Sequence, residues 1–158
     1  MGVRRSYPGS AAYEMADYPG AMESIPPVLA LDVGTKTIGI ALCERGIVLP
    51  VCTLARASVA KDAVRVAQLC HARGVQRVIV GLPYALDGTE GRSARLARQV
   101  GEAVRLAGFE VCYQDERYST VEALTRLGAA EVFRERRRAA VDQVAAVVIL
   151  EEWLAAQE

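Results

Sequence analysis

Histidine is nearly missing from this chain of 158 residues, which has only His71. A Ser-His-Asp or Cys-His active site would depend wholly on that one residue, and a typical zinc site would have to be built mostly from cysteine. The four cysteines (Cys43, Cys52, Cys70, Cys112) contain no C-x-x-C pair, which argues against zinc and against a small disulfide scaffold. Lysine is equally scarce: of 19 Lys and Arg residues only Lys36 and Lys61 are lysines. No charge of one sign prevails, because 19 Asp and Glu balance the 19 bases. That balance counts against a simple basic glove for nucleic acid and against a polybasic membrane binder, although local patches remain open. No apolar run approaches 18 residues, so no membrane-spanning helix is expected. Arg4 and Arg5 are not followed by an apolar segment, so nothing resembles a secretory signal. The cytoplasm, with reduced thiols, is the expected location, and a surface cysteine linking two chains stays open.

What is present is ordinary globular composition, 52% hydrophobic and 24% charged. The length fits one domain with a substantial core. Residues 1–27 stand apart. They hold four of the six prolines and three of the thirteen glycines without helical or strand period. They read as a disordered or loosely attached tail. Met15 and Met22 are alternative starts, and the second would make the tail a start-site extension.

From residue 28 the chain reads as one α/β domain, 28–158. Val28–Leu31 is a continuous apolar run ending at Asp32 and a turn containing Gly34, as expected of a strand buried on both faces. Thr37–Leu42 and Ile47–Leu49 follow, joined by Glu44-Arg45-Gly46 and stopped at Pro50. Three strands with short turns predict an antiparallel meander. Helical spacing then runs from Ser58, a plausible N-cap, to Arg73, with Gly74 closing it. Val78–Val80 is a buried strand. A second helix spans about Gly91 to Ala107. Val111–Tyr113 is a fifth strand. Ser119-Thr120-Val121-Glu122 matches a capping box that opens a third helix. A last helix covers roughly Ala139–Ala155. Right-handed crossovers then give a mixed five-stranded sheet, a three-strand antiparallel meander plus two parallel strands, flanked by helices on both faces.

Carboxylates sit where such a sheet binds ligands. Asp32 ends the most apolar strand, and Glu116 lies just past the fifth, between Asp115 and Arg117. Both fall at the C-terminal edge of the parallel strands. Asp142 interrupts a helix that is apolar almost all round, with Ala145, Ala146, Ile149 and Trp153 within about 60° of it. A carboxylate on such a face needs a partner or a metal, unless placement in the first turns lets the helix dipole stabilise it. Three converging carboxylates would repel one another, and hard divalent cations, Mg²⁺ or Mn²⁺, relieve that repulsion. A pair of such ions supports phosphodiester hydrolysis without histidine.

Basic and turn residues flank these positions. Asp87-Gly88-Thr89-Glu90-Gly91 reads either as a turn before a helix or as a nest of backbone N–H groups for phosphate, with Gly88 and Thr89 at its centre. Arg92, Arg95, Arg98 and Arg105 oppose the apolar stripe of the second helix. Arg136, Arg137 and Arg138 lead into the helix carrying Asp142. Such rows are usually solvated faces, but here they could follow a nucleic-acid backbone. Thr35 and Lys36, in the turn after Asp32, are further candidates to contact phosphate. His71 and Trp153 read as structural.

Four segments carry a family resemblance: Leu31–Ala41, Val80–Pro83 with Asp87–Gly91, Asp115–Arg117 with Ser119–Ala123, and Val141–Ala146. Together they resemble the YqgF/RuvX family of bacterial RNase H-like proteins, described as Holliday-junction resolvases and as pre-16S rRNA processing nucleases. The resemblance runs from about Val28 to Trp153 and leaves the 1–27 tail outside. It implies an RNase H-like fold, Mg²⁺ or Mn²⁺ dependence, and an acidic triad of Asp32, Glu116 and Asp142. Structured RNA such as pre-rRNA, branched DNA, pre-30S ribosomal particles and a second copy of the chain are the partners it implies. Before Asp142 this chain has arginine and alanine where the family often has a Lys-Gly turn, which shifts the expected helix start. Asp32-Val33-Gly34-Thr35 also resembles the first phosphate motif of actin and sugar-kinase ATPases, whose cleft needs two such domains. A non-catalytic nucleic-acid or ribosome-assembly factor is the third reading.

Overall fold

The computed structural model describes residues 4–5, 13–14, 26–85, 87–116 and 134–157, with 4–5, 13–14 and 134–142 described by backbone alone. Five strands form one sheet: β1 (Val28–Val33), β2 (Thr37–Glu44), β3 (Ile47–Ala55), β4 (Arg77–Leu82) and β5 (Glu110–Asp115). Their order is β3-β2-β1-β4-β5. The first three pair antiparallel, while β4 runs parallel to β1 and β5 parallel to β4. Among the described residues three helices accompany the sheet: α1 (Val59–Arg73), α2 (Arg92–Leu106) and α3 (Arg134–Ala156). Separately, Arg4–Arg5 pairs antiparallel with Tyr13–Glu14, a short ladder where no strand period is visible in the sequence.

Strand alternation sorts the core into two layers. Leu29, Leu31 and Val33 of β1 pack with Ile38 and Ile40 of β2 against Ala63, Val66 and Cys70 of α1 and Ala97, Val100 and Val104 of α2. Val28 and Ala30 face the other way and join Ala41, Cys43 and Ile79 against Ala146, Ile149, Leu150 and Trp153 of α3. A central strand buried on both faces therefore reads as an unbroken apolar run, and each large aliphatic side chain so buried contributes about 1.5–3 kcal/mol. The Arg77 guanidinium lies 5.7 Å from the Trp153 ring centroid. Gly81, four residues further along β4, faces Ile149, so α3 runs antiparallel to β4.

Local chemistry sets the ends. Ser58 caps α1 by accepting from the Lys61 N–H at 3.1 Å, and Gly74 closes it at φ 69°. Arg45 and Gly46, at φ 55° and 79°, make the two-residue hairpin between β2 and β3. Two elements differ from the sequence expectation. β3 does not stop at Pro50 but continues to Ala55, because Pro50 falls on the sheet edge where the β2–β3 register shifts at Ile40/Ala41. An edge strand at a bulge tolerates the missing N–H. α3 begins at Arg134, five residues before the expected Ala139. The capping box at Ser119 and the helix it would start lie outside the described residues.

Candidate active site at the carboxyl edge of the sheet

One cross-strand row organises the site. Asp32 of β1 pairs with Gly39 of β2, and Gly39 pairs with Thr53 of β3. On the other side, continuing the Leu31–Val80 register by one residue sets Gly81 beside Asp32, and Gly81 pairs with Gln114 of β5. Alternation from Val28 and Ala30 turns Asp32 toward the α3 face. The half-buried Asp32 carboxylate thus stands on a floor with glycine on both sides, each one strand spacing away, about 4.8 Å. Glycine inside a strand marks a close approach, and at Gly81 the approaching groups are visible. A Cβ there would lie 2.5 Å from Ile149 Cδ1 and 3.1 Å from Glu116 Cγ.

Glu116 is therefore drawn into the space that Gly81 leaves open. It follows the tip of β5, its N–H donates to the Leu82 carbonyl at 2.9 Å, and it is only 5% exposed. Alternation and the Gly81 contact place Asp32 and Glu116 on the α3 side of the edge. Asp115, the last residue of β5, is exposed.

Asp142 lies on the backbone of α3, seven residues or two turns before Ile149, on the same helical strip. The next residue is anchored: Gln143 Nε2 donates to Thr53 Oγ1 at 3.2 Å, in the same row as Asp32. Because α3 starts at Arg134, Asp142 sits in its third turn. The dipole acts within the first turn only, so that alternative explanation of an acid at this position does not hold. Side chains of α3 are described from Gln143 onward. Among the described residues no three His, Cys, Asp or Glu side chains cluster as a metal site. Asp32 and Glu116 supply two carboxylates. Carboxylate oxygens are the donor type a hard cation takes.

The residues expected to contact phosphate differ in their settings. Thr35 and Lys36 are exposed in the turn after β1, where the Gly34 N–H donates to the Thr37 carbonyl at 2.8 Å. Arg92 and Arg95 are exposed on the first turns of α2. Arg98 is instead tied down at the surface: it donates to Glu90 Oε1 at 2.7 Å and to the Tyr84 hydroxyl at 3.0 Å, and it lies 5.0 Å from the Tyr113 ring centroid. Burial and the hydrogen bond to Glu102 push the Tyr113 hydroxyl well above its ordinary value, so it stays protonated and structural.

The phosphate nest at Gly88 and Thr89 needs correction. The Gly88 N–H donates to the Ala85 carbonyl at 2.8 Å, and the Thr89 N–H to Asp87 Oδ1 at 3.0 Å. Both amides are used by the turn itself. Arg117 lies outside the described residues. Arg136, Arg137 and Arg138 lie on the first turns of α3, with side chains outside them. His71 is exposed, with its ring 5.1 Å from that of Phe109, and Trp153 is buried in the core, as expected of Trp153.

The sequence reading passed over Gly39, Gly81, Gln143, Arg56 and Asp62. The two glycines carried a signal, since each interrupts a buried strand. Arg56 and Asp62 carried none, because their contact joins the end of β3 to the first turn of α1.

Known proteins match both the sequence and the fold. The model of the RuvX family, described as Holliday junction resolvase, matches residues 27–156. A protein of Thermosynechococcus vestitus named "Putative pre-16S rRNA nuclease" is 41% identical over 142 residues, which covers 82% of this chain and 88% of the relative. One of Myxococcus xanthus with the same name is 40% identical over 130 residues, covering 80% and 85%. Among solved structures, Thermus thermophilus RuvC in complex with a Holliday junction substrate has a TM-score of 0.50 at 18% identity, covering 83% of this chain and 95% of that one. The fowlpox virus Holliday junction resolvase has a TM-score of 0.50 at 9% identity, covering 82% and 99%. At those identities the structures show the fold, which is RNase H-like. With a family match spanning the whole sheet and α3, and relatives near 40% identity over most of their length, the chain belongs to the RuvX family.

Proposed function

We propose that this protein is a metal-dependent nuclease that hydrolyses phosphodiester bonds in structured nucleic acid. The observation that carries the reading is the convergence of Asp32 and Glu116 over the Gly39–Gly81 floor, next to the helix strip bearing Asp142. Asp32, Glu116 and Asp142 would hold Mg²⁺ or Mn²⁺, with Asp32 at the centre of the row. Bound there, two such ions supply an activated water and charge neutralisation at the leaving oxygen. They would also change the formal charge from 0 to about +4, which removes the neutral balance as an obstacle to a polyanion.

The protein's own groups position the substrate. Thr35 and Lys36 border the site on the β1–β2 turn and meet phosphate as it passes the sheet edge. Arg92 and Arg95, exposed on the first turns of α2, would contact the backbone of the same substrate, and Arg117, Arg136, Arg137 and Arg138 are the further phosphate contacts proposed from the sequence. Arg98, tied to Glu90 and Tyr84, would add a fixed guanidinium to these contacts. Gly88 and Thr89 are exposed on the adjoining loop. The names of the relatives support action on pre-16S rRNA; the finer reading we propose is 5′ processing, within pre-30S particles in the cytoplasm. The family description supports Holliday junction resolution, which two symmetric cuts by a homodimer would achieve.

The test is cleavage of structured RNA and of four-way DNA junctions with Mn²⁺, by wild type and Asp32→Asn, beside a solution mass. Wild type is expected to cut at least one substrate and Asp32→Asn neither. Equal cleavage by both proteins contradicts the site.

A further inference from the structure

On the sheet face opposite α3, a cleft of about 380 Å³ opens between the β1–β2 turn and the start of α2. Thr35, Arg56, Arg92, Arg95, Leu96 and Gln99 line it. Its arginines are of two kinds. Arg56 is anchored: Nε donates to Asp62 Oδ2, and Nη1 donates to the Gly34 carbonyl at 2.9 Å. Its side chain is 9% exposed, and that of Asp62 is 1% exposed. The Ala57 N–H, at 3.0 Å, holds the second Asp62 oxygen. Arg56 is therefore a guanidinium fixed in place before any ligand arrives. Arg92 and Arg95 are exposed, and among the described residues neither is paired with a carboxylate. Among the described residues no acidic side chain lines the cleft. The lining offers guanidinium, hydroxyl and amide donors with two uncompensated positive charges, which suits an anion with several oxygens such as phosphate.

Position supplies the second argument. Thr35 lies three residues after Asp32, on the same turn that Arg56 braces through Gly34. Strand alternation directs Asp32 to the other side of the sheet. A polyanionic strand in contact with Asp32 reaches the cleft by crossing that turn.

We infer that this cleft is a second phosphate site, which grips a backbone phosphate of the substrate strand flanking the scissile one. Its role as a strand anchor rests on the nuclease reading above. Its affinity for phosphate does not, because it lies apart from the carboxylates.

The probe is single-stranded hexathymidylate, titrated by fluorescence anisotropy into Asp32→Asn protein over a series of KCl concentrations. Adding Arg92→Ala and Arg95→Ala is expected to weaken binding at least about tenfold. It should also flatten the slope of log affinity against log salt by about 1.4, two contacts at roughly 0.7 each on a single strand. Arg92→Lys with Arg95→Lys should retain the slope. Arg73→Ala, an exposed arginine at the far end of α1, should leave both affinity and slope unchanged. In ¹H–¹⁵N spectra the Arg56 Nε–Hε signal should shift on adding inorganic phosphate. An unchanged affinity and slope in the double alanine variant overturns the cleft, even if Asp32→Asn abolishes cleavage. Persistent cleavage by Asp32→Asn with a flattened slope overturns the nuclease site and retains the cleft.

Discussion

Replacing Gly81 with alanine adds one methyl group at the point where strand, helix and acid meet. The new Cβ would lie 2.5 Å from Ile149 Cδ1, and 3.1 Å from both Ile149 Cγ1 and Glu116 Cγ. Ile149 Cδ1 is the end of its side chain, but the residue is only 1% exposed and has little space to yield. Overpacking of this kind costs about 1–3 kcal/mol. The lower backbone entropy of alanine in the unfolded chain offsets about 0.5–1 kcal/mol of that. A net loss of about 1–2 kcal/mol follows, or roughly 2–8 °C in Tm for a chain of this size. Ile149→Val alone removes Cδ1 and should cost about 0.5–1.5 kcal/mol. In the double variant the alanine methyl fills the vacated space, so the two losses should fall short of their sum by about 1 kcal/mol or more. Urea unfolding at constant m measures this. The Glu116 contact at 3.1 Å persists in the double variant, so cleavage should stay impaired while stability recovers. Losses that add within about 0.3 kcal/mol would refute the packing argument.

The other predictions test separate parts of the fold. Asp62→Ala leaves the buried Arg56 guanidinium without its carboxylate and should cost about 3 kcal/mol in urea unfolding, with a loss below about 1 kcal/mol counting against the role assigned to the pair. Arg45→Asn keeps the left-handed hairpin position with a residue that tolerates it, and should raise stability by up to about 1 kcal/mol by the same assay. Burial pushes the Cys70 thiol from 9.0 up to about 12, so folding favours its protonated form. The stability this contributes is complete below about pH 9 and is lost as pH rises toward 12, with a slope of at most about 1.4 kcal/mol per pH unit. Cys70→Ala should show a shallower decline between pH 9 and 10 than wild type, and identical profiles would exclude Cys70 as a source. Cys70 should also resist alkylation at neutral pH until the protein unfolds, as a mass-spectrometric time course would report.

How far the sequence could be read follows from what each residue depends on. Val28–Leu31 showed its double burial in its own composition, and Ser58 and Gly74 marked the ends of α1 by chemistry that acts within one turn. Pro50 misled because its effect depends on whether a strand lies at the sheet edge, which only the assembled sheet decides. The start of α3 misled because Arg134–Arg138 has no apolar period, while the backbone continues the helix through it. Asp32 and Glu116 were legible as strand-end acids. The Gly39–Asp32–Gly81 row was not, since register between β2, β1 and β4 is a property of pairing. Gly88 and Thr89 fitted two readings equally until their amides were seen to bond within the turn. Arg56 and Asp62 lie six residues apart across a strand–helix junction, a spacing with no periodic signature.

The central claim is that β1, β5 and α3 bring three carboxylates to one cation site. Titration of Mn²⁺ into wild type, Asp32→Asn, Glu116→Gln and Asp142→Asn, followed by electron paramagnetic resonance, tests it most directly. Wild type should bind Mn²⁺, and each single variant should weaken that binding at least about tenfold while keeping the wild-type circular dichroism spectrum. Wild-type Mn²⁺ affinity in the Asp142→Asn variant would contradict the convergence of α3 on the Asp32 row, and unchanged affinity in all three would contradict the site.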